Sequence, residues 1–145
     1  MIASVLHDER TRAATSAQTF QRVAEQSASG TCPSRLSAQG THTYSAGSEP
    51  DQALTTGQPV RCSIVASSVP NWLAETPRQQ RELHASAPDP VLLVPLRARG
   101  APLGLAQLLR YRSDEPFTDD DVLLAREIGS RAALSIDNAQ RYLHL

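Results

Sequence analysis

The stretch from Pro90 to His144 constrains the fold of this chain more than any other, because it reads as strand, turn, strand and helix with each signal in place. Val91 to Leu96 is a nearly continuous apolar run bounded by prolines, which suits a strand covered on both faces. Arg97-Ala98-Arg99-Gly100-Ala101-Pro102 follows as a hairpin connection, with Gly100 supplying a positive φ. Leu103 to Tyr111 predicts a second strand, with Leu103, Leu105, Gln107, Leu109 and Tyr111 alternating against Gly104, Ala106, Leu108 and Arg110. Gly104 and Ala106 are small enough to let a helix or a ligand approach their face closely.

A final helix is predicted from Thr118 to His144. Thr118 is a good N-cap, Asp121 three residues on mimics a capping box, and Asp119 and Asp120 suit the positive end of the helix dipole. Phe117 and Val122 are placed for a hydrophobic staple. Val122, Ala125, Gly129, Ala132, Ala133, Ile136, Asn138 and Ala139 trace a stripe of mostly small residues, which lets the helix lie close to a sheet or to a second copy of itself.

Upstream the signals are weaker. Asp8 to Gln26 carries Ala13, Ala17, Phe20, Val23 and Ala24 at spacings of mostly three to four, and predicts a helix with one narrow apolar stripe. Ser27 to Gly40 is rich in turn formers and short of apolar residues, so it reads as loop or partial disorder. Thr41 to Ser45 is a candidate edge strand. Glu49 to Thr55 predicts a short helix stopped at Gly57, with Pro59 beyond it, and Val60 to Val65 a strand with Val60, Cys62 and Ile64 on one face. Asn71 to Ala85 predicts an exposed helix, or two helical turns, interrupted at Pro77.

At 145 residues the expectation is a single domain spanning residues 1–145 around one core, with no output domain. A formal net charge of −1, with every basic residue an Arg and none of them clustered, provides no footprint for nucleic acid. There is no apolar run long enough to span a membrane, and the first residues are too short and too acidic for a secretory leader. Cys32 and Cys62 show no CxxC spacing. A cytoplasmic protein with free thiols, and with neither nucleic-acid nor membrane partners, is expected.

Leu54-Thr55-Thr56-Gly57-Gln58-Pro59-Val60, Val94-Pro95-Leu96-Arg97-Ala98-Arg99-Gly100, Leu103-Gly104, Pro116-Phe117-Thr118-Asp119-Asp120-Asp121 and Ala132-Ala133-Leu134-Ser135-Ile136-Asp137-Asn138-Ala139 together resemble a GAF domain over residues 50–145. The resemblance is to the GAF modules of bacterial signalling proteins joined to serine/threonine phosphatase or histidine kinase output domains. It implies an α+β fold: an antiparallel sheet of about five strands flanked by N- and C-terminal helices, with a ligand pocket on the face away from the helices. It also implies a regulatory role without catalysis, a small-molecule ligand of unspecified identity, a homodimer formed through the terminal helices, and a kinase or phosphatase partner. A ligand-free interaction module, or a remnant of a larger signalling protein, is the alternative. The family usually has two well-marked strands after its first helix. Here that region is the polar Ser27 to Gly40, so either the sheet lacks a strand or the sequence has drifted.

In that frame the walls of a pocket are expected to be Cys62, Trp72, Leu73, Leu93, Pro95, Leu105 and Gln107, an apolar set with one amide that suits a small, mostly apolar ligand. Cys62 has no neighbouring His of the kind covalent bilin attachment needs, and reads as a core residue. His7, His42, His84 and His144 border no apolar run that would make one a haem ligand, and none pairs at metal-site spacing. Asp119-Asp120-Asp121 is explained by the helix N-terminus. No nucleophile, base and orienter set and no Gly-rich phosphate loop is present.

Overall fold

A computed structural model describes residues 2–9, 19–27, 41–64, 70, 72, 89–110 and 115–143. Its elements are β1 (Ile2–Glu9), β2 (Thr19–Ser27), β3 (Thr41–Thr43), α1 (Glu49–Thr56), β4 (Val60–Ile64), β5 (Asp89–Ala98), β6 (Ala101–Leu109) and α2 (Asp119–Leu143). The strands form one six-stranded sheet in the order β3-β2-β1-β6-β5-β4, and every neighbouring pair is antiparallel. β1 and β6 lie at its centre and join the first hairpin to the last.

The helix expected over Asp8 to Gln26 is overturned at both ends, where Asp8 and Glu9 end β1 and Thr19 to Gln26 belong to β2, while its middle, 10–18, lies outside the described residues. A bulge explains the misreading. Val5 pairs with Ala24 and Leu6 with Arg22, so Val23 is an extra residue on β2. That insertion breaks the period of two and leaves Phe20, Val23 and Ala24 at spacings that imitate a helix. The sheet is therefore not short of a strand, and β3 is an edge strand, as Thr41 to Ser45 suggested. The loop reading of residues 28–40 and the helix reading over 71–85, Trp72 apart, lie outside the described residues.

β5 is buried on both faces, as its unbroken apolar run predicts. Val91 and Leu93 face α1, in a cluster with Ala53, Leu54, Leu105 and Leu109. Leu92 and Val94 face the other way and meet Phe117, Val122 and Ala125. The β5–β6 turn has Arg99 at φ 53° and Gly100 at φ 79°, two consecutive left-handed residues as in a type I′ turn, which suits the twist of the flanking strands. A second bulge follows at once: Leu96 pairs with Gly104 and Arg97 with Pro102. Leu103 is the extra residue, so it joins Leu96 and Ala133 on the α2 side and leaves the Leu105, Gln107, Leu109 face expected for it.

Both helices begin as their sequences indicate, and α1 also ends as expected. In α1, Ser48 caps the start by accepting from the Asp51 N–H at 3.4 Å. Gly57 closes the end at φ 70°, its N–H donating to the Ala53 carbonyl at 2.9 Å. A β-carbon at Gly57 would lie 2.6 Å from Arg97 Nη1. Gly57→Ala is therefore expected to cost ~1–2 kcal/mol in left-handed strain, and to displace the Arg97 guanidinium as well. A thermal melt of the variant checks this.

In α2 the capping box is complete: the Asp121 N–H donates to Thr118 Oγ1 at 3.2 Å, and the Thr118 N–H to Asp121 Oδ2 at 2.8 Å. Phe117 and Val122 share one cluster, as a staple requires. The inward stripe is Gly129, Ala133 and Asp137, whereas Asn138 and Ala139 are exposed. The stripe expected from small residues thus ends one turn early, where a charged residue replaces them.

Candidate functional site

The predicted pocket residues fall on the sheet face that carries α1. Leu93 pairs with Gln107 and Pro95 with Leu105 on neighbouring strands, so the four side chains share one face. Cys62, Trp72 and Tyr44 pack half-buried around the same cluster. The structure therefore brings Cys62, Trp72, Leu93 and Leu105 together and places Gln107, 4% exposed, beside Leu93. Leu73 lies outside the described residues.

Glu49, the first residue of α1, organises this face. The Trp72 indole N–H donates to Glu49 Oε2 at 3.3 Å, which fixes the only tryptophan of the chain to the helix start. Burial, then the Glu49 carboxylate, pushes the Cys62 thiol up to about 11. At neutral pH Cys62 is thus a protonated, weakly nucleophilic thiol, which supports its reading as a core residue. Among the described residues no three His, Cys, Asp or Glu side chains gather where a metal could be held.

Three arginines tie the sheet to α2. From β4, next to Cys62, Arg61 donates to the Phe117 carbonyl at 3.1 Å and pairs with Asp119 at 2.8 Å, at the start of α2. From the end of β6, Arg110 lies 4.4 Å over the Phe117 ring, donates to the Pro116 carbonyl at 2.8 Å and pairs with Asp121 at 3.1 Å. The Thr118 backbone N–H, with further help from its hydroxyl and Arg110 against burial, holds the Asp121 carboxyl below the usual carboxylate range. At the other end, the turn residue Arg99 reaches Asp137 at 3.0 Å, and Arg141 reaches the same carboxylate oxygen at 3.0 Å.

Asp137 is the residue that sequence reasoning missed. An acidic residue on the buried side of a helix is unfavourable by itself, and its partner Arg99 is 38 positions away in sequence. Burial pushes the Asp137 carboxyl up, but the Arg99 hydrogen bond and the Arg141 charge outweigh it and leave the group below its ordinary value. A lowered folded-state pKa contributes stability that is present above the unfolded value of about 3.9 and is lost as pH falls through the folded value. Asp137→Asn is therefore expected to lower Tm at pH 7 and to lose that difference as the pH approaches 3. Paired melts across this range test it, and a Tm gap independent of pH would refute the ion-pair account.

A concave feature lies on the opposite face. A half-open apolar groove of about 400 Å³ runs between α2 and the sheet, lined among others by Leu92, Val94, Leu108, Leu124, Ile128 and Ala132. Ala106, one of the small residues expected to let a helix or a ligand approach this face, is among the groove's lining residues. Such a groove cannot be read from periodicity, because α2 packs mainly on β5 and leaves the β6 side partly uncovered.

Comparison with known proteins agrees with this architecture. The GAF domain family matches residues 3–136. The crystal structure of a GAF domain/HD domain protein from Geobacter sulfurreducens is similar, at TM-score 0.64 and 21% identity, over 96% of this chain and 81% of that one. The GAF domain of a two-component sensor histidine kinase from Bacillus halodurans is similar at TM-score 0.66 and 17% identity, over 98% and 84%. The A. aeolicus nlh2 GAF domain in an inactive state aligns at TM-score 0.58 and 10% identity, over 95% and 74%. No curated protein sequence matches. With its six-stranded antiparallel sheet and a family match over most of its length, the chain belongs to the GAF domain family.

Proposed function

We propose that this domain is a non-catalytic sensor of a signalling protein, with a small, mostly apolar ligand taken on the α1 face and the response carried by α2. GAF domains are generally regulatory modules, and this reading refines that role. The observation that carries it is the assembly of Cys62, Trp72, Leu93 and Leu105 into one cluster with Gln107 alongside. Leu73 and Pro95 complete the proposed walls, and Gln107 is the group that would orient a ligand by hydrogen bonding.

The relay follows from the arginine contacts. A ligand that moves Trp72 pulls on Glu49 and α1, whose C-terminal Gly57 sits under Arg97 of the β5–β6 hairpin. The same hairpin holds α2 through Arg99 and Asp137, while Arg61 connects β4 to the helix start. A ligand with different affinity for two positions of Trp72 thereby biases α2. Two copies paired through α2 would pass that bias to a kinase or phosphatase partner. No helix among the described residues is long and apolar enough to cross a membrane, and a cytoplasmic location is proposed with the sensor role.

The test is a thermal-shift screen with cyclic nucleotides, amino acids and small aromatics, read in parallel by Trp72 emission. A binder at a hundredfold excess over its Kd is expected to add about 2.7 kcal/mol, several degrees in Tm, and to shift the emission. If no class moves either signal, the sensor reading fails. The ligand-free interaction module, favoured by the apolar side chains exposed along α2, then takes its place.

A further inference from the structure

Six large apolar side chains of α2 are exposed, Leu123, Leu124, Ile128, Leu134, Tyr142 and Leu143, each by at least 53%. Singly exposed leucines are ordinary, but six large apolar side chains on one helix mark a surface that is covered in use. Away from the buried Gly129, Ala133 and Asp137 runs the exposed row Leu124, Glu127, Arg131 and Leu134, whose first member also borders the groove. Its spacing of three, four and three is that of a helix-pairing seam. Glu127 and Arg131 pair with each other at 2.8 Å, their side chains 64% and 80% exposed.

The order of that row, apolar, acidic, basic, apolar, decides what it fits. In a parallel, in-register pair, Glu127 faces the partner's Glu127 and Arg131 faces the partner's Arg131, both repulsive. Around a two-fold axis at Gly129 with the helices antiparallel, Glu127 meets the partner's Arg131, and Leu124 meets the partner's Leu134. Both pairs then recur by symmetry, as an isologous interface requires. The geometry points to a second copy of this chain, docked antiparallel through the Leu124, Glu127, Arg131, Leu134 row with its axis at Gly129. This inference rests on the reading of α2 as the pairing helix and adds its orientation and register.

Disulfide trapping tests it in the full chain with Cys32→Ala and Cys62→Ala. Proteins carrying Leu124→Cys and Leu134→Cys, one of them mass-tagged, are mixed and oxidised mildly. Antiparallel docking yields the mixed disulfide, whereas each variant alone stays largely unlinked. If each variant links to itself, the antiparallel orientation is overturned and pairing through α2 stands. If nothing links and sedimentation shows a monomer, pairing through α2 is overturned too, while the ligand reading is judged separately by the thermal-shift screen. Charge reversal gives a second reading that spares the apolar contacts. Glu127→Arg and Arg131→Glu should each weaken association about tenfold, and the two together should restore it. Single reversals without effect, or a double variant without rescue, would overturn the antiparallel register.

Discussion

Leu93→Ala is expected to cost ~3–5 kcal/mol of stability, more than Leu92→Ala one residue away. Both side chains are fully buried, and the transfer term for the lost carbons is the same. Their surroundings differ. Leu93 lies in the closely packed cluster between β5, β6 and α1, where truncation leaves a void among Val91, Leu105 and Ala53. Leu92 lines the half-open groove under α2, so truncation there enlarges a space that water already reaches, and the cost is expected nearer ~2 kcal/mol. Chemical denaturation of both variants measures the difference. Equal losses would show that the α1 face is as open as the groove. The same pair bears on function, since Leu93→Ala would also remove a wall of the proposed ligand site.

Gly129→Val is expected to destabilise by ~1–3 kcal/mol and to lift α2 from the sheet. A β-carbon at Gly129 would lie 3.0 Å from Val94 Cγ1 and 3.5 Å from Leu96 Cδ2, so α2 is already as near to β5 as it can come. Gly129→Ala sets two effects against each other. The gain in helix propensity of about 1 kcal/mol offsets the squeeze on Val94, and a change close to zero is expected. Val adds two further carbons and loses the propensity gain. The variant is expected to increase exposure of the apolar groove, read as dye binding along with the lower Tm. If Gly129→Val melts with the native protein, close approach at this position contributes nothing to the packing of α2.

Much of the C-terminal half was legible in the sequence because its signals are local. The Thr118 and Asp121 capping box, the Phe117 and Val122 staple, the Gly57 stop and the Val91 to Leu96 run each lie within a few residues of the atoms they control. The N-terminal half misled for an equally physical reason. Val23 is an inserted residue in a strand, and one insertion turns a period of two into spacings that resemble a helical turn. Leu103 changed faces by the same device.

The candidate site was legible as a set of residue types, and Cys62, Trp72, Leu93 and Leu105 do meet. The links from the sheet to α2 were not, because Arg99 and Asp137 are 38 residues apart and Arg61 and Phe117 are 56 apart. The sequence by itself determined the type and order of the described elements of residues 49–143 and where both helices start, since caps, turns and periodicity act over one or two turns of chain, whereas β6 runs Ala101–Leu109 and not Leu103 to Tyr111. Tertiary structure alone decided that residues 2–27 pair as strands beside β6, that Asp137 is buried under two arginines, and that a groove stays open beside α2. Those outcomes depend on bulges, register and charge partners that meet only when distant segments pack.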